Sequence, residues 1–128
     1  VCSSDLEDYI TPDGEVIKNE LLTIPGTPSK KYAYCSDTAY APEIVHYIKK
    51  ADLLYHEATF AESESKRAEE TYHSTAGQAA QIAKLAEVKK LVIGHYSSRY
   101  YELGVLLKEA ILIFPETELA SEGKIFEL

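Results

Sequence analysis

The chain has no methionine, not even at position 1, and only two cysteines, Cys2 and Cys35. The cysteines form no CxxC pair and no framework of spacings, which argues against a disulfide scaffold and makes a cytoplasmic location the default expectation. No apolar run approaches the length that crosses a bilayer, and no basic segment followed by an apolar stretch opens the chain. Neither a membrane span nor a secretory signal is therefore expected. Basic residues are in deficit, 13 against 21 acidic ones for a net charge of -8, which argues against a general nucleic-acid coat. Internal repeats and low-complexity tracts are absent too. The missing Met predicts a fragment, a processed product or a reading frame without its start. The opening VCSSDL back-translates to the end of a sequencing-library adapter, so residues 1–6 read as an artefactual tail, with an ordinary polar terminus as the alternative.

What is present suits one modest core. The chain has 128 residues, 45% of them hydrophobic and 27% charged, enough for one soluble domain or most of one. The acidic excess leaves a nucleic-acid enzyme open, because clustered carboxylates suit divalent cations and a metal can supply the positive charge.

Along the chain, TPDGEV is a hairpin signal and IPGTPSK reads as a loop. KYAYC alternates into a strand that ends at Ser36-Asp37-Thr38, and APEIVHYIKKA has helical spacing with Pro42 near its first turn. DLLYHEAT reads as a second strand, and the charged FAESESKRAEETYH as a surface segment. STAGQAAQIAKLAEV predicts a helix capped by Ser74 or Thr75. KLVIGH is continuous in its apolar residues, as expected of a strand buried on both faces. YELGVLLKEAILIF predicts a further helix, and ELASEGKIFEL a closing hairpin around Glu122-Gly123. Strand and helix alternate, so the fold class is α/β in layers, with Asp37, Glu57 and His95 where strands end.

Each polar stretch has a plain reading beside its chemical one. Asp37 in SDT suits a helix cap or a carboxylate ligand to a metal, with Ser36 and Thr38 orienting it. Glu57 in HEAT suits a solvated carboxylate or the partner of an imidazole. His73 in HST suits a capping neighbourhood, a phosphate site beside free helix N–H groups, or a general acid. His95 in GHYSSRY suits a structural role or a ligand, with Gly94 permitting close backbone approach and Arg99 offering a fork to phosphate. His46, inside a helical run, reads as surface.

Together and in this order, SDT, HEAT, HST and GHYSSRY resemble the ribonuclease Z family of tRNA 3′-processing endoribonucleases, of the metallo-β-lactamase fold. The likeness runs from Glu7 to the C-terminus. It implies the C-terminal half of an αβ/βα sandwich, with residues 1–128 forming a partial domain. It implies that Asp37 bridges two zinc ions and that His95 ligates one of them. Glu57 and His73 match the pair that protonates the leaving 3′ oxygen, and Ser97 and Arg99 fall in the segment that grips RNA. Tyr96 stands where the family usually has Phe.

The family's HxHxDH motif is missing, as is a further His before SDT: the four histidines are His46, His56, His73 and His95. The resemblance thus implies a zinc-dependent endoribonuclease acting on precursor tRNA, homodimeric and cytoplasmic when complete, and inactive in this truncated form. The alternatives are another metallo-β-lactamase-fold hydrolase of phosphodiesters or sulfate esters, and a non-catalytic fragment.

Overall fold

The computed structural model describes residues 7–128, so the tail expected at residues 1–6 lies outside the described residues. The chain opens with a hairpin of β1 (Tyr9–Ile10) and β2 (Val16–Ile17), closed through Gly14 at φ 86°. A single helical turn, α1 (Asn19–Leu22), follows, which the sequence pattern did not suggest.

The body is a four-stranded parallel sheet of β3 (Tyr32–Cys35), β4 (Leu53–Glu57), β5 (Leu91–Gly94) and β6 (Thr117–Leu119), in that spatial order. Cys35 pairs with His56 and Glu57 with Gly94, so the carboxyl ends of three adjacent strands share one edge. β5 is buried along its whole length, as its apolar run predicts. β4 is buried except at Tyr55: Leu54 packs in the core, while Tyr55 stacks on its register partner Tyr34 with ring centroids 4.7 Å apart.

Helices α4 (Ala76–Leu85) and α5 (Gly104–Ile113) pack together and, with Leu54, Leu91 and Ile93, enclose the core. α4 buries Ala76, Gly77, Ala79, Ala80 and Ala83, small residues that let its axis approach the sheet closely, and Ile82, which fills the core. It starts at Thr75, whose hydroxyl accepts from Gln78 N–H while the Gln78 side chain accepts from Thr75 N–H, a reciprocal cap. It stops in a Schellman turn: Glu87 N–H reaches Lys84 O and Val88 N–H reaches Ala83 O, with Glu87 at φ 53°.

Two expectations are corrected and a third is refined. APEIVHYIKKA is not one helix but a 3-10 turn at Pro42–Ile44 and the short α2 (Val45–Ile48). Lys50 adopts φ 58° and gives its N–H to Ala86 O, which turns the chain into β4. The charged segment after Phe60 contains a 3-10 turn at Glu62–Glu64 and α3 (Ser65–Glu70), held down by the single buried Ala68. The terminal stretch makes no hairpin. Its first residues join the sheet beside β5, and Lys124 N–H to Ser121 O closes a turn with no returning strand. Leu91 N–H to Glu116 O and Ala120 N–H to Ile93 O bracket β6 against β5, taking the pairing that a hairpin would need.

Candidate functional site

The carboxyl edge of the sheet gathers Asp37, Glu57, Thr59 and His95, and the turn after α3 adds His73. That turn is again a Schellman arrangement. Tyr72 sits at φ 59° with its N–H on Glu69 O, and His73 N–H binds Ala68 O at 2.8 Å. The helix end therefore fixes where the His73 ring departs from the backbone.

Glu57 is the anchor. It is 0% exposed, and both carboxylate oxygens are filled. Oε1 accepts from Thr38 N–H at 2.8 Å and from His73 Nδ1 at 2.9 Å. Oε2 accepts from the Thr59 hydroxyl at 2.6 Å and from Ser74 N–H at 3.1 Å. Burial alone would raise this carboxyl's pKa, but the hydrogen bonds from Thr59, His73, Ser74 and Thr38 outweigh it and hold the group below its ordinary range. The solvated-carboxylate reading of Glu57 is thereby excluded. Because an ionised carboxylate only accepts, His73 must donate from Nδ1, and its Nε2 has no hydrogen bond among the described residues.

Asp37 and His95 follow the ends of β3 and β5 in left-handed conformations, φ 49° and 59°. Such angles cost a non-glycine residue on the order of 1 kcal/mol or more, and here they turn both side chains toward one another. Asp37 Oδ1 lies 3.2 Å from His95 Nε2. His95 Nδ1 lies 3.0 Å from Thr59 Oγ1, whose one proton goes to the charged Glu57 oxygen at the shorter distance. Thr59 must then accept from His95 Nδ1–H, which leaves a lone pair on Nε2 facing the Asp37 oxygen. Two lone-pair donors at this separation need a proton or a cation between them. Asp37, His73 and His95 offer ligand atoms that all lie within 4.8 Å of one another, a hard carboxylate and two imidazoles that suit zinc. Exposure rises outward through the cluster, from Glu57 at 0% through His73 at 24% and His95 at 40% to Asp37 at 72% of the side chain, so the Asp37–His95 end meets solvent.

The remaining candidates are less free. Arg99 Nη1 is 3.3 Å from Glu64 Oε2, and its guanidinium lies over the Phe60 ring. Ser97 is half-buried; its backbone N–H binds Thr59 O at 3.1 Å, and its hydroxyl has no hydrogen bond among the described residues. The Tyr96 hydroxyl shares its one proton between Ile93 O, the shorter contact, and Ala120 O, and burial pushes its pKa up to about 12, so the phenol acts as a clasp between β5 and β6. The expected phosphate site at the start of α4 is not open. Ser74, Thr75, Ala76 and Gln78 N–H groups are all taken, and Glu62 sets its own carboxylate there, accepting from Thr75 Oγ1 at 2.8 Å. His46 is exposed, as expected. Sequence reasoning missed Thr59, which joins Glu57 to His95; its signal was its place two residues after Glu57 within HEAT. A cleft of about 480 Å³ opens beside His73, lined also by Tyr40, Ser65, Lys66, Glu69 and Gln78.

This arrangement has relatives. The curated Ribonuclease Z of Bacteroides thetaiotaomicron is 64% identical over 116 residues, covering 91% of this chain and 37% of that protein. That of Porphyromonas gingivalis strain W83 is 56% identical over 121 residues, 94% of this chain and 40% of that protein. The chain thus spans about two fifths of the length of these relatives. Among solved structures, the metallo-beta-lactamase fold protein YhfI from Bacillus subtilis superposes with a TM-score of 0.72 at 27% identity, over 77% of this chain and 40% of that one. Human tRNase Z, short form, gives 0.52 at 35% identity, over 65% of this chain and 27% of that one. The fold expected from the sequence, part of a metallo-β-lactamase sandwich, is the fold found. The family described as Beta-lactamase superfamily domain matches residues 21–96, a span that holds Asp37, Glu57, His73 and His95, and the chain belongs to that superfamily.

Proposed function

We propose that the chain contributes the carboxylate–histidine part of a zinc-dependent endoribonuclease that generates the 3′ end of tRNA, within one metallo-β-lactamase-like domain. The observation that carries this reading is the Glu57–His73 pair, buried at its base and open at His73 Nε2, set beside Asp37 and His95. Likeness to curated proteins named Ribonuclease Z and to human tRNase Z supports RNA as the substrate class.

In this reading Asp37 and His95 hold zinc together with ligands from outside the described residues. Zinc at such a site acts as a Lewis acid on the phosphate and supplies a nucleophile at neutral pH. The chain's own part is proton management. Glu57 fixes the His73 tautomer, and His73 Nε2, when protonated, gives its proton to the leaving 3′ oxygen. Thr59 holds the His95 ring so that Nε2 faces Asp37. Ser97 and Arg99 are substrate contacts, Arg99 exchanging Glu64 for phosphate. The complete enzyme is a cytoplasmic homodimer in this proposal. Among the described residues, no helix is long and apolar enough to cross a membrane.

The test is cleavage of a precursor tRNA by a form of the relatives' full length, with zinc and with chelator. Zinc-dependent cut ends bearing a 3′ hydroxyl, lost in His73→Ala, are expected, while the 128-residue chain alone leaves the substrate intact. Cleavage of small phosphodiesters but not of tRNA would move the protein to another hydrolase of the superfamily.

A further inference from the structure

A Lys–Lys pair immediately precedes two strands of the parallel sheet and comes two residues before a third: SKKYAYC leads into β3, IKKADLLYHE into β4 and VKKLVIG into β5. Because β3, β4 and β5 are neighbours and run the same way, the three pairs meet at the amino edge of the sheet, opposite the candidate site. Six of the chain's 13 basic residues gather there, in a protein of net charge -8. Asp52 lies among them, 2.6 Å from Lys89 Nζ and 4.0 Å from Lys30 Nζ, and Glu118 takes Lys90 at 3.0 Å. Lys49 and Lys50 have no carboxylate partner among the described residues. A cleft of about 500 Å³ opens at this edge, lined by Thr27, Ser29, Lys30, Lys50, Asp52 and Lys89.

We infer that this amino-edge lysine cluster binds the phosphate backbone of RNA, at a surface separate from the carboxylate–histidine site. Strands about 4.8 Å apart set the lysine pairs in a row of roughly 10 Å. That repeat suits a polyanion with a charge every few ångströms along its length. The cluster contains lysine and no arginine, so it offers mobile point charges and lacks the planar forks that read base edges. Binding here is therefore independent of sequence. The hydroxyls of Thr27 and Ser29 add neutral donors of the kind that contact phosphate oxygens. The strands are four or five residues long, which puts the two surfaces about 15–20 Å apart, within reach of one RNA molecule.

The choice of RNA over other polyanions rests on the RNA-processing reading, but the test measures binding and needs no cleavage. Fluorescein-labelled precursor tRNA is titrated with the 128-residue chain across a salt series. Wild type should bind with a salt-dependent affinity, and the Lys30→Glu/Lys50→Glu variant should bind at least about tenfold more weakly, with a slope against log salt shallower by about two. Lys18→Glu/Lys108→Glu changes net charge equally on other exposed surfaces and should bind nearly as wild type. Equal losses in the two charge-reversed variants, no binding by wild type, or displacement by poly-glutamate at equal charge concentration would each overturn the proposal. A chain that binds in this way yet belongs to a full-length form that cleaves no tRNA would refute the cleavage reading alone.

Discussion

Glu57 Oε1 lies 2.9 Å from His73 Nδ1, and that contact decides which nitrogen of the imidazole faces the cleft. The carboxylate behind it is completely buried and accepts four hydrogen bonds, so its role is to hold the ring and its proton in one arrangement.

Removing either partner should therefore damage the chemical step while sparing zinc. In a full-length form, His73→Ala should lower turnover about 10²–10⁴-fold, the span of general acid catalysis. Glu57→Ala should act similarly, and the double variant should be little worse than either single change, since the two act as a unit. Glu57→Ala should also cost about 2–4 kcal/mol of stability, because it orphans buried donors from Thr38, Thr59, His73 and Ser74. Single-turnover rates and urea melts read both effects. Strictly multiplicative rate losses would end the pairing.

Zinc affinity should depend on a residue that never touches the ion. Thr59→Val removes the acceptor for His95 Nδ1–H and frees the ring, so affinity should fall about 10–100-fold, as such outer contacts usually require. Asp37→Ala should lower both zinc content and turnover more severely. A chelator-competition titration reports the series, and wild-type affinity in Thr59→Val would contradict the assigned tautomer.

Gly94 is held to glycine by Tyr55. A Cβ at position 94 would lie 2.7 Å and 2.8 Å from Tyr55 Cε2 and Cζ, and closer still to Oη. Gly94→Ala should destabilise the fold by about 1–3 kcal/mol through overpacking. The Gly94→Ala/Tyr55→Ala double variant should lose clearly less than the two single losses combined, a coupling that denaturant melts resolve. Simple additivity would mean that the ring gives way at no cost.

Stability should fall below neutral pH because of His56. Its Nδ1 lies 2.7 Å from Glu57 O, so that nitrogen donates, while Nε2 is buried with no partner among the described residues. Burial pushes its pKa below the ordinary 6.5. Below about pH 6.5 the unfolded chain takes up a proton that the folded chain refuses, so the contribution is full above that pH and is lost as pH falls. His56→Leu should narrow the gap between urea midpoints at about pH 7.5 and 5.5. An unchanged gap would clear His56 of the effect.

The strand ends were readable because apolar runs stop abruptly at Asp37, Glu57 and His95, and because β5 must be buried to tolerate LVIG. The connections between them were not. That Thr59 bridges Glu57 to His95 depends on the β4–β5 register, which aligns Glu57 with Gly94 and is a tertiary choice. The charged segment hid α3 because one buried alanine, Ala68, carries its inward face and leaves almost no apolar period to detect. At the C-terminus, the turn at Glu122-Gly123 was legible as a turn, but nothing local told Thr117–Leu119 to pair with β5 rather than fold back.

Spatial order in the parallel sheet is the same as order along the chain, β3 to β6. No strand has to be threaded between two that are already in position, so the sheet can grow by addition at a single edge. Each newly made strand finds its template in the one made just before it. During synthesis, β3 and β4 would have paired before β5 emerged, and the nascent protein would always present one fresh edge. Glu57 would then wait, with its base partly built, until the segment carrying His73 and the strand ending before His95 arrived to close over it.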